Sequence, residues 1–254
     1  MNTICMDQVD QAIMHMASIT IYRNILNDEI TKRYSELICL LSKCDDEELS
    51  IKSSQLLNCY HEVLSMLIVR YGNNRRITGD LWKMHIIHLL LDDENSFTLA
   101  CERDEYHVLP TGLLYIVKND LMHVQSIFSL DGSCLQDILK SRLSVDWLPA
   151  WTIVSNSKIA AAEYEATPSA GYDIIDRLYY SKSWENELAA LKEHYYRNGC
   201  SIFSRFKAFR WSQKENSGSL TGIENPDPIR FSQLIGYERE RSIASKNIMH
   251  FLNN

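Results

Sequence analysis

Three short stretches hold residue types that bind metals or carry out catalysis. His61 and Glu62 open the pattern H-E-x-x-H of a zinc-protease helix, but residue 65 is serine, so the second imidazole ligand is missing. His85 and His88 are three residues apart within "HIIHLLL", where apolar neighbours surround them and no third ligand is nearby. We interpret this pair as hydrogen-bonded, partly buried histidines rather than metal ligands.

The other candidates for chemistry are thiols and hydroxyls. Cys39 and Cys44 have no matching pair at zinc-finger spacing and are predicted to be core thiols. No G-x-S-x-G elbow marks a nucleophilic serine, although a hydrolase built from scattered Ser, His and Asp stays open as an alternative. The sequence therefore predicts no catalytic residue and no metal ligand. Seven cysteines, without a signal peptide or an apolar span, indicate a reduced cytoplasmic protein with no membrane association.

The stretch "FSRFKAFRW", residues 203–211, interleaves aromatic and basic side chains. The aromatic rings of such a stretch can stack on the bases of single-stranded nucleic acid. Alternatively, the rings pack against a protein surface while the Arg and Lys side chains pair with acidic residues nearby. A formal net charge of −7 disfavours nucleic acid. We predict a protein-contact segment formed by Phe203, Arg205, Phe206, Lys207, Phe209, Arg210 and Trp211.

Helical periodicity runs through the first 142 residues. Asp28 and Glu29 favour a helix start before a buried stripe, and a second stripe ends near Gly72. Asp80 and Ser96 are predicted to cap the next two helices. The apolar stripes are Ile30, Tyr34, Leu37, Ile38 and Leu41; Tyr60, Val63, Leu64, Leu67 and Tyr71; and Leu114, Val117, Leu121, Val124 and Phe128.

The pattern loosens after residue 142. Residues 143–180 indicate irregular structure or a short strand, and "EATPSAGYD" carries turn signals. Ser183 is predicted to begin a helix with Trp184, Leu188, Leu191 and Tyr195 on its inner face, whereas "SGSLTGIENPDP" is predicted to be a linker. The expected fold is mainly α, a helical bundle or array. Its expected parts are residues 1–142 (helical domain), 143–215 (mixed helical segment with the aromatic and basic stretch) and 216–254 (linker and final helix).

The ending "PDPIRFSQLIGYERERSIASKNIMHFLNN" resembles the segment that leads into the ATPase core of an uncharacterised family of bacterial AAA+ ATP-binding proteins. "FKAFRW", a polar linker and "PDPIRFSQLIGYERER" follow one another as they do in that family. "ITIYRNIL", "DLWKMHIIHLLLDDENSFTLACER" and the region of Asp120 are similar to its helical N-terminal part.

The resemblance implies roles for particular residues. In AAA+ proteins the apolar residues and glycine before the first core helix line the adenine pocket, here Leu234, Ile235, Gly236 and Tyr237. Residues 216–254 would then be a linker and the first segment of an AAA+ module that is incomplete in this chain. The following helix would turn Ala244, Ile248, Phe251 and Leu252 towards the core. ATP and magnesium are implied for the complete family protein and no cofactor for this chain, because the phosphate loop G-x-x-x-x-G-K-[ST] does not occur in it.

We therefore expect this chain to be the part of the protein before the catalytic residues, with the phosphate loop beyond Asn254. The chain could be a shortened piece, a truncated gene product or one half of a split protein. The resemblance implies a regulatory or partner-recruiting domain whose partners are the absent AAA+ core and an unidentified protein. It implies oligomers for the complete protein. The alternative is a stand-alone helical scaffold for protein contacts, with no role in nucleotide binding.

Overall fold

The computed structural model describes residues 2–44, 46–72, 79–103, 109–153, 170–202, 206, 208–214, 217–223, 226–227, 230, 233 and 236–252. The chain divides into two compact units. We call Met1–Ser204 the helical unit and Arg205–Asn254 the C-terminal unit.

The helical unit contains nine α-helices among its described residues. They are α1 (Asn2–Ser18), α2 (Glu29–Lys43), α3 (Asp46–Tyr71), α4 (Leu81–Asp92), α5 (Ser96–Arg103), α6 (Thr111–Ser129), α7 (Gly132–Leu143), α8 (Ala170–Tyr180) and α9 (Leu188–Asn198). Two 3-10 helices, Arg23–Asn27 and Trp184–Glu187, precede α2 and α9. Helix α1 packs against α2, α6 and α7, while α4 packs against α3, α6 and α8.

The core forms where the sequence places its apolar stripes. All members of the first two predicted stripes are buried, as are the four residues assigned to the inner face of the helix near residue 190. In the third stripe only Leu114 is partly exposed. Three tryptophans, Trp82, Trp151 and Trp184, are fully buried. Burial of this apolar surface is the main stabilising contribution to the unit.

The described part of the helical unit contains one short two-stranded β-sheet. Strand β1 (Gly79–Asp80) pairs antiparallel with β2 (Thr152–Ile153), and Leu81 N–H donates to Trp151 O at 2.9 Å. The strand at residues 152–153 confirms one of the two structures predicted for the region after residue 142. The helix α8 in the same region was not predicted, because Gly171 and the nearby Pro168 were interpreted as turn signals.

Acidic caps begin several helices, as the sequence indicates. The Asp28 carboxylate accepts N–H bonds from Ile30 and Thr31, and Asp80 accepts one from Lys83. The prediction that Ser96 caps α5 is wrong: the Asn95 side chain accepts from the N–H groups of Phe97 and Thr98. The predicted helix start at Ser183 is instead a 3-10 turn, in which Ser183 makes no side-chain cap bond.

The C-terminal unit contains a β-hairpin and a helix. Strand β3 (Phe209–Lys214) pairs antiparallel with β4 (Ser217–Gly222), with Trp211 opposite Leu220. The helix α10 spans Glu238–Leu252. The prediction that "SGSLTGIENPDP" lacks regular structure is therefore wrong for its first half.

The fold class is confirmed as mainly α-helical, with two small antiparallel sheets of two strands each in the described residues. No helix in the described ranges combines the length and apolar character needed to cross a bilayer.

Candidate functional site

The hairpin of the C-terminal unit has two chemically different faces. Side chains alternate along a strand, so the register places Phe209 and Trp211 on one face with Leu220 and Gly222. The opposite face carries Arg210 and the hydroxyl residues Ser212, Ser219 and Thr221. One face is therefore aromatic and the other is basic and hydroxyl-bearing.

Two aromatic rings cover glycines of this hairpin. A Cβ atom placed on Gly218 would meet the Trp211 ring at 1.8 Å, and one on Gly222 would meet the Phe206 ring at 2.1 Å. Phe206 also contacts Phe209, with ring centroids 6.2 Å apart. Because the glycines have no side chain, each ring packs directly against the strand backbone.

Trp211 nevertheless keeps much of its surface accessible. Its exposed fraction is 63%, so only one side of the indole is used against Gly218. Arg210, next to it in sequence, is exposed on the other face. Three residues predicted for protein contact, Phe209, Arg210 and Trp211, therefore lie on strand β3, and a fourth, Phe206, packs on Gly222 of β4. Phe203, Arg205 and Lys207 lie outside the described residues.

The residues predicted for an adenine pocket lie directly before α10. Gly236 has φ +80° and no neighbouring heavy atom within 4 Å of a Cβ position, and Tyr237 has φ +59°. A positive φ is uncommon for a residue with a side chain, and strained residues of this kind cluster at functional sites as well as in turns. The Tyr237 side chain is 75% exposed. Leu234 and Ile235 lie outside the described residues.

Helix α10 exposes apolar side chains. Ile248 is half exposed and Phe251 is 84% exposed, while Ala244 is partly buried. The charges of α10 suit its dipole, with Glu238 and Glu240 in the first turn and His250 in the last.

The helical unit holds a buried polar network around His85. The His85 Nε2 atom lies 2.9 Å from the Asp28 carboxylate and its Nδ1 lies 3.0 Å from the Tyr71 hydroxyl. Because a carboxylate only accepts, Nε2–H donates to Asp28, and Nδ1 of the neutral ring accepts from Tyr71. Burial lowers the pKa of His85 against the opposing effect of Asp28. His88 bonds the Met84 carbonyl and stacks on Tyr71. Both histidines are therefore hydrogen-bonded as predicted, but only His88 is partly buried, since His85 is fully buried.

The Asp28 carboxylate is also an ion-pair partner. Arg70 Nη1 lies 2.7 Å from its second oxygen. Burial alone would raise the pKa of Asp28, but the hydrogen bonds and charges of His85 and Arg70 hold it well below its usual range. The network therefore fixes the start of α2 against α3 and α4.

A second buried cluster joins the starts of α4 and α7. Asp80 accepts from the N–H groups of Lys83 and Gly132, and Lys83 Nζ lies 2.7 Å from Asp131. Burial, helped by the charge of Asp131, raises the pKa of Asp80 to about 6. Lys83 also lies 5.3 Å from the Phe128 ring centroid. Paired carboxylates beside a lysine can take part in proton transfer. Here the oxygens of Asp80 and Asp131 accept backbone N–H bonds at the starts of α4 and α7.

A third carboxylate, Asp120 on α6, joins distant parts of the chain. Its oxygens accept from the backbone N–H groups of Thr20, Ile21 and Tyr22, which directly follow α1, at 2.5 to 3.1 Å. No local sequence motif predicts this contact, because Asp120 and its partners are about 100 residues apart.

Sequence reasoning missed one further pair. His15 on α1 and His123 on α6 face each other, with their Nδ1 atoms 2.7 Å apart. Burial, together with the charge of His123, lowers the pKa of His15. The two residues are 108 positions apart, so local spacing gives no signal for them.

Other chemistry in the described ranges is limited. No group of three or more His, Cys, Asp or Glu side chains there could hold a metal ion. A shallow groove of about 500 Å³ between α2 and α3 contains Arg33, which pairs with Glu36 and Glu62. Burial raises the pKa of the Cys101 thiol to about 11 and that of Cys200 to about 12, so neither is a reactive thiolate.

The comparisons with known proteins concern the C-terminal unit. A protein-family model described as "Protein of unknown function (DUF815)" matches residues 204–254. That range coincides, within one residue, with the C-terminal unit Arg205–Asn254. No curated protein and no solved structure matches the chain.

Proposed function

We propose that this chain is a regulatory or partner-recruiting part of an AAA+ ATP-binding protein. In this proposal the helical unit binds a protein partner, and the C-terminal unit carries the first segment of the ATP-binding module. The main support is that the family match begins where the second compact unit begins. The chain therefore contains a helical unit and a unit that matches the family model. In this proposal the first binds the partner and the second couples that binding to the ATP-binding module.

The segment before α10 supports an adenine contact. Gly236 and Tyr237 both have positive φ, and Tyr237 presents its ring to solvent immediately before the helix start. The open space around the Gly236 Cβ position allows a ligand to approach the backbone. An exposed aromatic ring can stack on a purine, because every base has a π face.

The proposal includes no ATP turnover by this chain. Phosphoryl transfer depends on a phosphate cradle and a magnesium clamp that stabilise charge in the transition state. The 254 residues contain no G-x-x-x-x-G-K-[ST] pattern. ATP and magnesium therefore belong, in this proposal, to the complete family protein, and an adenine contact alone binds weakly.

One observation favours the alternative of a stand-alone scaffold for protein contacts. In the described helical unit, Asp28, Asp80, Asp120 and Asp131 all accept backbone N–H bonds at helix starts or turns. Carboxylates used in this way stabilise the packing of helices rather than perform chemistry. A scaffold of this kind would show no nucleotide response.

A titration of the full chain with a fluorescent ATP analogue separates the two proposals. We expect weak binding that does not depend on magnesium and no release of inorganic phosphate above the buffer control. Tyr237→Ala should abolish the signal. The matched control is Tyr180→Ala, since Tyr180 is 79% exposed on α8 of the helical unit.

The outcomes have separate meanings. Weak binding lost only in Tyr237→Ala supports the AAA+ proposal, and no binding in the wild type supports the scaffold. Submicromolar, magnesium-dependent binding with turnover that persists after further purification would overturn both.

A further inference from the structure

Trp147, in the connection after α7, leaves a large aromatic surface open to solvent. Its side chain is 59% exposed, whereas Trp82, Trp151 and Trp184 are fully buried. Its ring is parallel to that of His61 on α3, with an interplanar angle of 4° and ring centroids 6.1 Å apart. Offset pairs of this kind cover the ring faces only in part, so much of the indole is accessible to a ligand.

The chain directly after Trp147 is fixed by two side-chain hydrogen bonds. The Gln136 amide donates to Leu148 O at 2.6 Å, and the Tyr60 hydroxyl donates to Pro149 O at 2.6 Å. Leu148 is itself buried. The indole is therefore presented by an ordered stretch of chain, and a partner that binds it loses little free energy to ordering that stretch.

Two carboxylates lie in the same region of the surface. Asp146 directly precedes Trp147 and is exposed. Asp137 is exposed on α7 and lies near Tyr60, because burial raises the pKa of Tyr60 and the charge of Asp137 adds to this effect. Neither Asp137 nor Asp146 forms an ion pair within the described part of the chain. Against the half-buried cation Lys140, one turn further along α7, the two carboxylates leave this region with a net negative charge.

An arginine side chain matches both the ring and the charge. Its guanidinium group is planar and stacks on aromatic faces, with tryptophan the strongest partner, and it forms hydrogen bonds to carboxylates. A lysine ammonium carries the same charge but lacks the planar group. Tryptophan and arginine are also among the residues most enriched at the energetic centres of protein interfaces.

We propose that Trp147, Asp137 and Asp146 form a docking site for an arginine side chain in a basic segment of a partner protein. The guanidinium stacks on the free part of the indole with its charge beside the carboxylates, and the His61 ring supports the indole. The formal net charge of −7 favours the approach of a basic partner. This inference rests on the proposed partner-recruiting role of the helical unit and names the chemistry of that contact.

The test is an NMR titration of the full chain with the acetylated and amidated peptide Gly-Arg-Gly-Arg-Gly. The chain has five tryptophans, and the indole N–H signal that disappears in Trp147→Ala is that of residue 147. Affinity is measured for each variant from the arginine signals of the peptide. The same peptide with lysine, or with citrulline, the uncharged analogue of arginine, is the comparison. Trp211→Ala is the matched control, because Trp211 is 63% exposed in the C-terminal unit.

We expect the arginine peptide to shift the Trp147 signal to saturation. Binding should weaken by about fivefold or more in Trp147→Ala and by about two- to fivefold in Asp137→Asn, and should not change in Trp211→Ala. The lysine peptide should bind more weakly than the arginine peptide, and the citrulline peptide at least about fivefold more weakly. Circular dichroism checks that each variant is folded. If Trp147→Ala is not folded, Asp137→Asn and the comparison of the peptides decide.

Three results would overturn the proposal. They are a Trp147 signal that does not move, binding that is undiminished in the variants of the site, and equal binding of the lysine or citrulline peptide. The last of these would show a docking surface that does not select arginine. The titration with the ATP analogue depends on Tyr237 in the C-terminal unit, so failure of the arginine site is distinguishable from failure of the proposed function.

Discussion

The indole ring of Trp211 lies across Gly218 on the neighbouring strand. A Cβ atom on Gly218 would meet the ring at 1.8 Å, so glycine is required for this contact. An isolated two-stranded hairpin is marginally stable in water, and an aromatic ring over a strand glycine compensates for its missing side chain.

Gly218→Ala should therefore displace the Trp211 ring and loosen the hairpin. We expect hydrogen exchange of the β3 amides to become at least several-fold faster, measured by mass spectrometry on peptides that cover β3. Gly112→Ala is the matched control, because nothing lies within 4 Å of its Cβ position in α6 and alanine favours helix by about 1 kcal/mol. Unchanged exchange in Gly218→Ala would show that the ring is not held by this contact.

Asp120→Asn should destabilise the helical unit. The substitution removes the negative charge and replaces one acceptor oxygen with an amide that donates, so Thr20 N–H loses one of its two acceptors and all three N–H bonds are left to a single neutral oxygen. We expect the free energy of unfolding to fall by about 2–4 kcal/mol, measured by urea denaturation. Asp137→Asn, at an exposed position of α7, should change it by less than about 0.5 kcal/mol. Equal effects of the two substitutions would contradict the role of Asp120.

Asp80 should make stability depend on pH in a particular direction. Its pKa is about 6 in the folded protein against an ordinary value of 3.8, so the folded state binds the proton more tightly. The stability that results is present below about pH 4 and is lost as the pH rises through about 6. Asp80→Asn removes this titration and keeps a capping side chain.

We therefore expect the difference in the free energy of unfolding, wild type minus Asp80→Asn, to fall by up to about 3 kcal/mol between these pH values. Urea unfolding of both proteins at a series of pH values measures it. A difference that stays constant, or rises with pH, would mean that the two N–H bonds keep Asp80 ionised.

The buried thiols should react slowly with alkylating reagents. Burial raises the pKa values of Cys101 and Cys200 to about 11 and 12, so little thiolate exists at pH 8. We expect peptide mapping to find both unmodified in the native protein after the partly exposed Cys39 has reacted. Both should react fully in urea, which serves as the internal control. Rapid native labelling of Cys200 would contradict its burial.

The sequence predicts the helices better than the strands, for a physical reason. A stripe such as Tyr34, Leu37 and Leu41 identifies a helix because its period is that of the helix and its burial follows from that period. Strand β4 escapes prediction because Gly218 and Gly222 are normally unfavourable in strands. Their cost is offset by the rings of Trp211 and Phe206, which composition does not reveal.

The candidate sites show the same limit. Phe209 and Trp211 are predicted as contact residues because aromatic and basic residues alternate locally, but the separation of the hairpin into two faces depends on the register with β4. His15 and His123 meet only after α1 packs on α6, and a separation of 108 residues carries no local pattern. The recruiting role and the adenine contact stay predictions, since the family match concerns a protein of unknown function.

The Asp120 contact also affects how the chain can fold during synthesis. Thr20 and Asp120 are 100 residues apart, so a ribosome working at roughly 5–20 residues per second needs on the order of 5–20 seconds to make the stretch between them. Throughout that interval the nascent N-terminal segment lacks the carboxylate that accepts the N–H bonds of Thr20, Ile21 and Tyr22. The docking of residues 20–22 on α6 therefore cannot precede the translation of that helix.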